Sequence, residues 1–267
     1  MLTAEPITFV VPVPRRGEIL ENNFLSSPCL RETVGHQVLI QENFTSAGRA
    51  FNDAIHQSVN DLLVFVHHDV LLPRSWTSQL GGALAHLEHT DANWGVLGCW
   101  GATRDGQCWG YIYSNGLGVV GKRFDQPMGV QTLDEIVLVL RKSSGLRFDE
   151  HLPGFHFQGS DICLAAARNN LKSYAISAFC IHNNSQYLIF PKEFYESYQY
   201  FRRKWKTDLP IQTPCIRVTK TEFPMYARRL REIYLRYIRH KEFDGVRSRD
   251  VNALVGKVEM MRGHQFS

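Results

Sequence analysis

His67-His68-Asp69 closes an apolar run at residues 61–66. On extended backbone side chains alternate, so His67 and Asp69 point to one side and His68 to the other. A carboxylate at the C-terminus of a buried strand is well placed to hold a divalent cation against a nucleotide diphosphate. Hard cations prefer oxygen ligands, and manganese also accepts imidazole. Two further readings stand beside this one: a zinc site built from the histidines, and a plain polar strand-to-loop junction. His182 ends a β-rich run at residues 173–181. A strand-end position suits a ligand, although a lone histidine is also a common satisfied structural group.

The second group with chemical potential is Gly154-Phe155-His156-Phe157-Gln158-Gly159-Ser160-Asp161. Ser160 reads as the N-cap of a helix over residues 161–169, which sets Asp161 in its first turn. The helix dipole there favours the ionised carboxylate. An ionised carboxylate can accept the proton of an attacking hydroxyl, and it can equally serve only to stabilise the helix. Trp100, Trp109, Tyr111 and Phe155 are aromatic residues near glycine-rich stretches, suited to stacking on sugars or to packing.

The elements that must position these residues alternate in the first half of the chain. Strands are expected at residues 7–13, 37–41, 61–66 and 94–100, and helices at 46–59 and 76–87. That order implies an α/β fold, with an open, mostly parallel sheet covered by helices. Ligands of such sheets bind beyond the C-terminal strand ends, here after Val11, Ile40 and Val66. Residues 107–115, 119–124 and 129–140 are rich in glycine and β-formers and suggest a less regular, partly antiparallel region. From Pro191 the chain reads as mostly helical. Phe194, Tyr198, Phe201 and Trp205 form one helical stripe expected to pack on the body. Between Tyr226 and Lys241, apolar Tyr226, Leu230, Ile233, Tyr234 and Tyr237 share a face. Arg228, Arg229, Arg231, Arg236, Arg239 and Lys241 lie around it. Such a helix can lie on an anionic membrane surface, dock on the body, or meet a second subunit.

The 267 residues, 44% hydrophobic and 21% charged, describe a globular chain and exclude disordered and collagen-like classes. No apolar run approaches the roughly 20 residues that cross a bilayer. The first residues carry no basic region ahead of the apolar stretch and read as a strand, not a signal peptide. Six scattered cysteines without CxxC spacing argue against a four-cysteine zinc site or a disulfide framework and for a reducing compartment. Residues 1–189 hold 13 Lys/Arg and 17 Asp/Glu, whereas residues 190–267 hold 17 and 9. A basic tail behind a mildly acidic body suits an anionic partner or a solvated face, and the tail has no nucleic-acid reader motif.

Taken in order, these pieces resemble a bacterial family 2 glycosyltransferase of the GT-A fold. The resemblance rests on Ser46-Ala-Gly-Arg-Ala-Phe-Asn-Asp-Ala-Ile, Leu63-Val-Phe-Val-His-His-Asp-Val, Phe148-Asp-Glu, Gly154-Phe-His-Phe, Asp161-Ile-Cys-Leu and Ile181-His182. It implies a Rossmann-like GT-A catalytic domain over residues 1–189, with a nucleotide-sugar half at about 1–100 and an acceptor half at about 101–189. Residues 190–267 would be a basic helical extension. By the same resemblance, Pro12, Val13, Pro14, Glu42, Asn43, Gly48, Asn52, His67 and His68 contact a UDP-, GDP- or dTDP-sugar. Asp69, His182 and His67 hold a divalent cation, Mn2+ or Mg2+. Trp100, Trp109, His156 and Ser160 face a glycan or lipid-linked acceptor, and Asp161 is the general base of an inverting hexosyl transfer.

The implied setting is polysaccharide biosynthesis in the cytoplasm, and the basic helices of the tail suit peripheral contact at the cytoplasmic membrane face. Two departures bear on chemistry. His67 replaces the first acid of the family's DxD motif, and Ser160 replaces the first acid of its Glu-Asp pair. The alternatives are a nucleotide-sugar or glycan-binding module that has lost catalysis, and a metal-dependent hydrolase. Against the hydrolase, the chain carries no HExxH motif.

Overall fold

The computed structural model describes residues 5–31, 35–185, 190–239 and 247–263; Lys241, assigned above to a basic helix, lies outside them. The first half follows the expected alternation: β1 (Ile7–Val13), α1 (Glu18–Asn22), β2 (Gln37–Glu42), α2 (Ala47–Gln57), β3 (Leu62–Val66), a short β4 (Val70–Leu71), α3 (Trp76–Thr90) and β5 (Trp94–Gly98). Then come β6 (Trp100–Ala102), β7 (Cys108–Ser114), β8 (Gly118–Gly121), β9 (Met128–Val130), β10 (Thr132–Leu133) and β11 (Val137–Arg141). The remainder comprises α4 (Gln158–Arg168), β12 (Lys172–Ala175), β13 (Cys180–His182), α5 (Lys192–Lys204), β14 (Ile211–Gln212), β15 (Arg217–Val218), α6 (Phe223–Tyr237) and α7 (Val251–Arg262).

The fold is α/β, as expected: a large central sheet flanked by helices. Its seven strands run in the order β2-β1-β3-β11-β5-β12-β9. β2, β1, β3, β5 and β12 point one way, and β11 and β9 run against them. Strand alternation divides the core between the two faces. Phe9, Val11 and Val64 pack with Trp76 and Leu80 of α3, whereas Val10, Phe65 and Leu138 pack with Phe51 of α2 and Ile162 of α4. Rings of Phe51, Phe65 and Phe148 meet at 4.8–5.0 Å on the second face.

Where the expected pattern loosens, the structure builds a second sheet, β10-β6-β7-β13-β4, with β8 paired to β7. Two expected strands are therefore each divided between sheets. Residues 94–100 become β5 in the large sheet and β6 in the smaller one. Residues 173–181 become β12 in the large sheet and β13 in the smaller one. The apolar content of such runs marks burial but carries no record of a change of sheet.

Ser160 is not the N-cap of α4. The helix starts at Gln158 behind Phe157, whose φ of +67° turns the chain into it. Ser160 lies buried within the first turn, where its side chain cannot take a capping position. The Phe194, Tyr198, Phe201 and Trp205 stripe of α5 packs on Leu152, Phe157 and Leu164 of the body.

Helix α2 is seated against the loop that leads to α4. A β-carbon on Gly48 would lie 2.3 Å from the carbonyl oxygen of Asp149, so only glycine permits this approach. Four residues on, Asn52 donates to Phe148 O (2.9 Å) and accepts from Phe148 N (2.9 Å), clasping the same loop as a neighbouring strand would. The backbone atom in the way cannot rotate aside. Gly48→Ala should therefore lower stability by about 2–3 kcal/mol in chemical denaturation, and an unchanged midpoint would refute the close seating.

Candidate metal centre

The edge of the large sheet where β1, β2, β3 and β5 end is also where antiparallel β11 begins, because Val137 pairs with Val66. His67 continues β3, and its amide donates to Ile136 O (3.1 Å). Two residues further on, Asp69 meets His182 of β13, which pairs antiparallel with β4 through His182 and Val70. The ligating atoms of His67, Asp69 and His182 lie within 4.8 Å of one another, and the two rings stand 5.6 Å apart. Sequence positions 67, 69 and 182 thus converge as expected.

The chemistry of this group fits a divalent cation. Asp69 is 5% exposed, and its Oδ1 accepts no well-formed hydrogen bond although His182 Nε2 is 3.3 Å away. A buried carboxylate oxygen facing an imidazole nitrogen without a proper bond is a pair of donors waiting for a common acceptor. Burial raises the Asp69 pKa, but His182 first, and then His67 and His68, hold the carboxyl well below the usual carboxylate range. Burial, and then His182, lowers the His67 pKa to about 3, which keeps its imidazole neutral and its lone pair available. Burial likewise lowers the pKa of His68.

A cation of the chain itself already stands on this acid. Arg247 Nη2 donates to Asp69 Oδ2 at 2.6 Å, and its Nε donates to Asn183 O at 2.9 Å. The segment is clasped by Asn183, whose Oδ1 accepts from Ser248 N and whose Nδ2 donates to Ser248 O, both at 2.8 Å. Asn183 N in turn donates to Asp69 O (2.9 Å). Sequence reasoning missed Arg247. It lies 178 positions from its partner, in a tail read only for its overall charge.

Also missed were Asp134 and Glu135. The sequence search looked beyond C-terminal strand ends, whereas an antiparallel strand brings its beginning to the same edge. Burial raises the pKa of both acids, with Asp134 adding to the effect on Glu135. Glu135 Oε1 accepts from Phe157 N at 3.1 Å, tying the first turn of α4 to this edge.

The other expected residues are distributed as follows. Pro12 and Val13 are buried in β1 and Pro14 is exposed just beyond them. Glu42 accepts from Arg16 N (3.0 Å), and Asn43 adopts a φ of +63°. Gly48 and Asn52 hold the Phe148 loop, as described. Ring atoms of Trp100 lie against Gly110 and Gly121, and Trp109 meets Phe124 edge-on at 5.6 Å. Tyr111 is covered by Phe179 and Arg262. His156 sits edge-on to Phe194 at 5.3 Å, and Phe155 is exposed.

Asp161 is 2% exposed. Its Oδ1 accepts from Trp205 Nε1 and its Oδ2 from Lys204 Nζ, both at 2.7 Å. Burial raises its pKa and Lys204 counters that.

No family model matches the chain. A Fuscovulum blasticum protein described as ATP synthase subunits region ORF 6 is 28% identical over 153 residues, 55% of this chain and 61% of that protein. The chain thus spans about three-fifths of the length of the curated relative it matches. It is also similar to GT-A-type glycosyltransferases of known structure. Mannosyltransferase PcManGT from Pyrobaculum calidifontis, in complex with GDP-Man and Mn2+, has a TM-score of 0.49 at 12% identity, covering 88% of this chain and 71% of that one. S. aureus TarS 1–349 gives 0.48 at 13%, covering 88% and 73%. GalNAc-T7 with UDP, GalNAc and Mn2+ gives 0.48 at 10%, covering 90% and 57%.

Two outcomes follow from the centre. Folding lowers the His67 pKa from 6.5 to about 3, so the unfolded chain binds a proton that the folded chain refuses. The stability this residue contributes is complete above 6.5 and is lost as pH falls from there towards 3. In EDTA the thermal midpoint should fall between about pH 7 and pH 5, and His67→Gln should flatten that fall; parallel curves would exclude the assignment. In calorimetry, Asp69→Asn should abolish Mn2+ binding. Arg247→Gln, by removing a like charge, should tighten it roughly tenfold.

Proposed function

We propose that the chain is a GT-A-fold, family 2-like glycosyltransferase. It would move a hexosyl group from a nucleotide sugar to a hydroxyl of a glycan or lipid-linked acceptor, with inversion and with a divalent cation. The observation that carries this reading is the meeting of His67, Asp69 and His182 at the sheet edge where β1 and β2 also end. Cation ligands therefore stand beside the strand ends, Pro12 to Pro14 and Glu42-Asn43, that remain for a base and ribose.

When bound, the cation stabilises the charge that develops on the departing nucleoside diphosphate. The residues of the chain supply the rest. His67 would present a neutral imidazole nitrogen and His182 a second ring nitrogen, and Asp69 would be the anionic ligand. Arg247 lends a second positive group at the same acid.

For the acceptor proton we favour Glu135 over Asp161. Each oxygen of Asp161 already accepts a strong hydrogen bond in a place closed to an acceptor. Glu135 borders the metal edge, one residue from the carbonyl that receives His67 N. Its raised pKa brings proton affinity towards the working pH, where a general base is most effective. Asp161 then acts as an anchor that fixes α5 to α4.

The first test is release of nucleotide from UDP-, GDP- and dTDP-sugars with manganese or with EDTA. Manganese-dependent release from one donor supports the transferase reading, whereas neither release nor binding of any donor overturns it. Binding without release, with every acceptor tried, marks a module that has lost its chemistry. With an active donor, Glu135→Gln should cost roughly a hundredfold or more in turnover with donor binding kept. Asp161→Asn should lower stability by about 2 kcal/mol, because it weakens the compensation of Lys204. Loss of turnover in Asp161→Asn at an unchanged melting midpoint would return the base to Asp161.

A further inference from the structure

Helix α6 faces the protein with the wrong side for an ordinary amphipathic helix. The side turned inward carries Met225, Arg228, Glu232 and Leu235, at steps of three and four. Glu232 is its anchor: it accepts from Arg228 Nε (3.0 Å), Phe190 N (3.2 Å) and the Tyr195 hydroxyl. A helix advances about 100° per residue, so Tyr226, Leu230, Ile233, Tyr234 and Tyr237 fall on the opposite side. All five are exposed, Leu230 at 67% and Tyr237 at 65%, and Tyr226, Ile233 and Tyr237 form one wall of an open cleft between α6 and α5. Phe223 and Ile238 extend the same apolar surface past both ends of the stripe. Scattered apolar residues on a surface are ordinary, but a continuous stripe of this size marks an interaction face.

Charge decides what that face meets. Arg229 and Arg236, seven residues apart, run along the flank that borders the cleft to α5, where Arg229 lies 5.5 Å from the Tyr195 ring, and Arg231 lies on the other; all three are exposed. Residues 223–239 contain a single acid, Glu232, and it is buried against Arg228 and Tyr195. In a two-fold pairing of the same helix, arginines would oppose arginines with no exposed carboxylate to receive them. Arginines beside an apolar stripe, with tyrosines within it, instead match a layer of anionic phosphates above hydrocarbon. We propose that α6 docks on an anionic lipid surface. It would lie in the interfacial plane, with Leu230 and Ile233 below the headgroups and Arg229, Arg231 and Arg236 among the lipid phosphates. This inference stands apart from the transferase reading, since it uses none of the residues of the metal centre.

The test is flotation of the full chain with phosphatidylcholine vesicles, with and without phosphatidylglycerol. Binding to the mixed vesicles only, weakened by salt, is expected. Exchanging Arg229, Arg231 and Arg236 for Gln should reduce it roughly a hundredfold. Leu230→Glu with Ile233→Glu should abolish it, and both variants should keep the thermal midpoint of the parent because these side chains are exposed. Should the glutamate variant unfold, the glutamine variant decides alone. Absence of binding by the parent chain, or unchanged binding by a folded variant, overturns the proposal. A dimer in sedimentation that Leu230→Glu splits, without vesicle binding, assigns the face to a second copy and overturns it equally.

Discussion

A buried carboxylate must be compensated, and the compensation of Asp69 organises the region around it. Three distant parts of the chain converge on this one charge: the end of β3, the end of β13, and the segment that enters α7. Each convergence needs its own scaffold. His182 is brought by the pairing of β13 with β4. Arg247 is brought by Asn183, which is itself fully buried and joined to Asp69 through its backbone. Helix α7 then covers the smaller sheet, with Leu254 and Val258 packed on Leu71, Tyr113 and Ile181. The small sheet and the C-terminal helix thus serve as supports for one acid at the edge of the large sheet.

Asp161 presents the same physical problem with a different solution. Its two oxygens are met by fixed donors, Lys204 and Trp205, and Lys204 is shared with Asp149 at 2.7 Å. The guanidinium of Arg168 lies 4.3 Å from the Trp205 ring and completes the enclosure. Each oxygen of that carboxylate has its own N–H donor from α5 or the residue that follows it. At Asp69, by contrast, Oδ1 meets His182 Nε2 at 3.3 Å without a well-formed hydrogen bond. A finished network rigidifies a junction between helices, and an unfinished one has room for chemistry.

The features legible in the sequence were those encoded locally. Alternation of apolar strands with helices marked β1, β2, β3, α2 and α3, because each element carries its own periodicity. The HxD ending of β3 and the histidine ending of β13 stood out because both follow strongly β-forming runs. What was not legible depends on pairing between distant segments. The run at 129–140 contains β11, but nothing within Val137–Arg141 states that it enters the large sheet antiparallel between β3 and β5. Without that insertion Asp134 and Glu135 seem to lie in a remote loop. Ser160 misled for a related reason: its type suits a cap, but Phe157 adopts the left-handed turn and Glu135 takes its amide from another segment. Gly48 and Asn52 also carry a structural task that no local pattern announces, since both meet the segment at 148–150 about a hundred positions away.

Periodicity also found the stripe of α6 while leaving its orientation open. Apolar burial alone would turn Leu230 and Ile233 inward, since each buried aliphatic side chain stabilises a fold by roughly 1.5–3 kcal/mol. The helix is instead held by hydrogen bonds from Phe190 N and the Tyr195 hydroxyl to Glu232 and by Met225 in the core, with Arg228, paired to Glu232 within the helix, lying 4.1 Å from the Phe190 ring. Rotating α6 to bury the stripe would place Glu232 in water and break that network. The arrangement keeps the basic flanks and the apolar stripe pointing outward together. The concentration of positive charge after residue 190 is therefore not spread evenly as a solvated face. Part of it is drawn inward to Asp69 through Arg247, and part lies exposed on α6 in Arg231 and just past its end in Arg239.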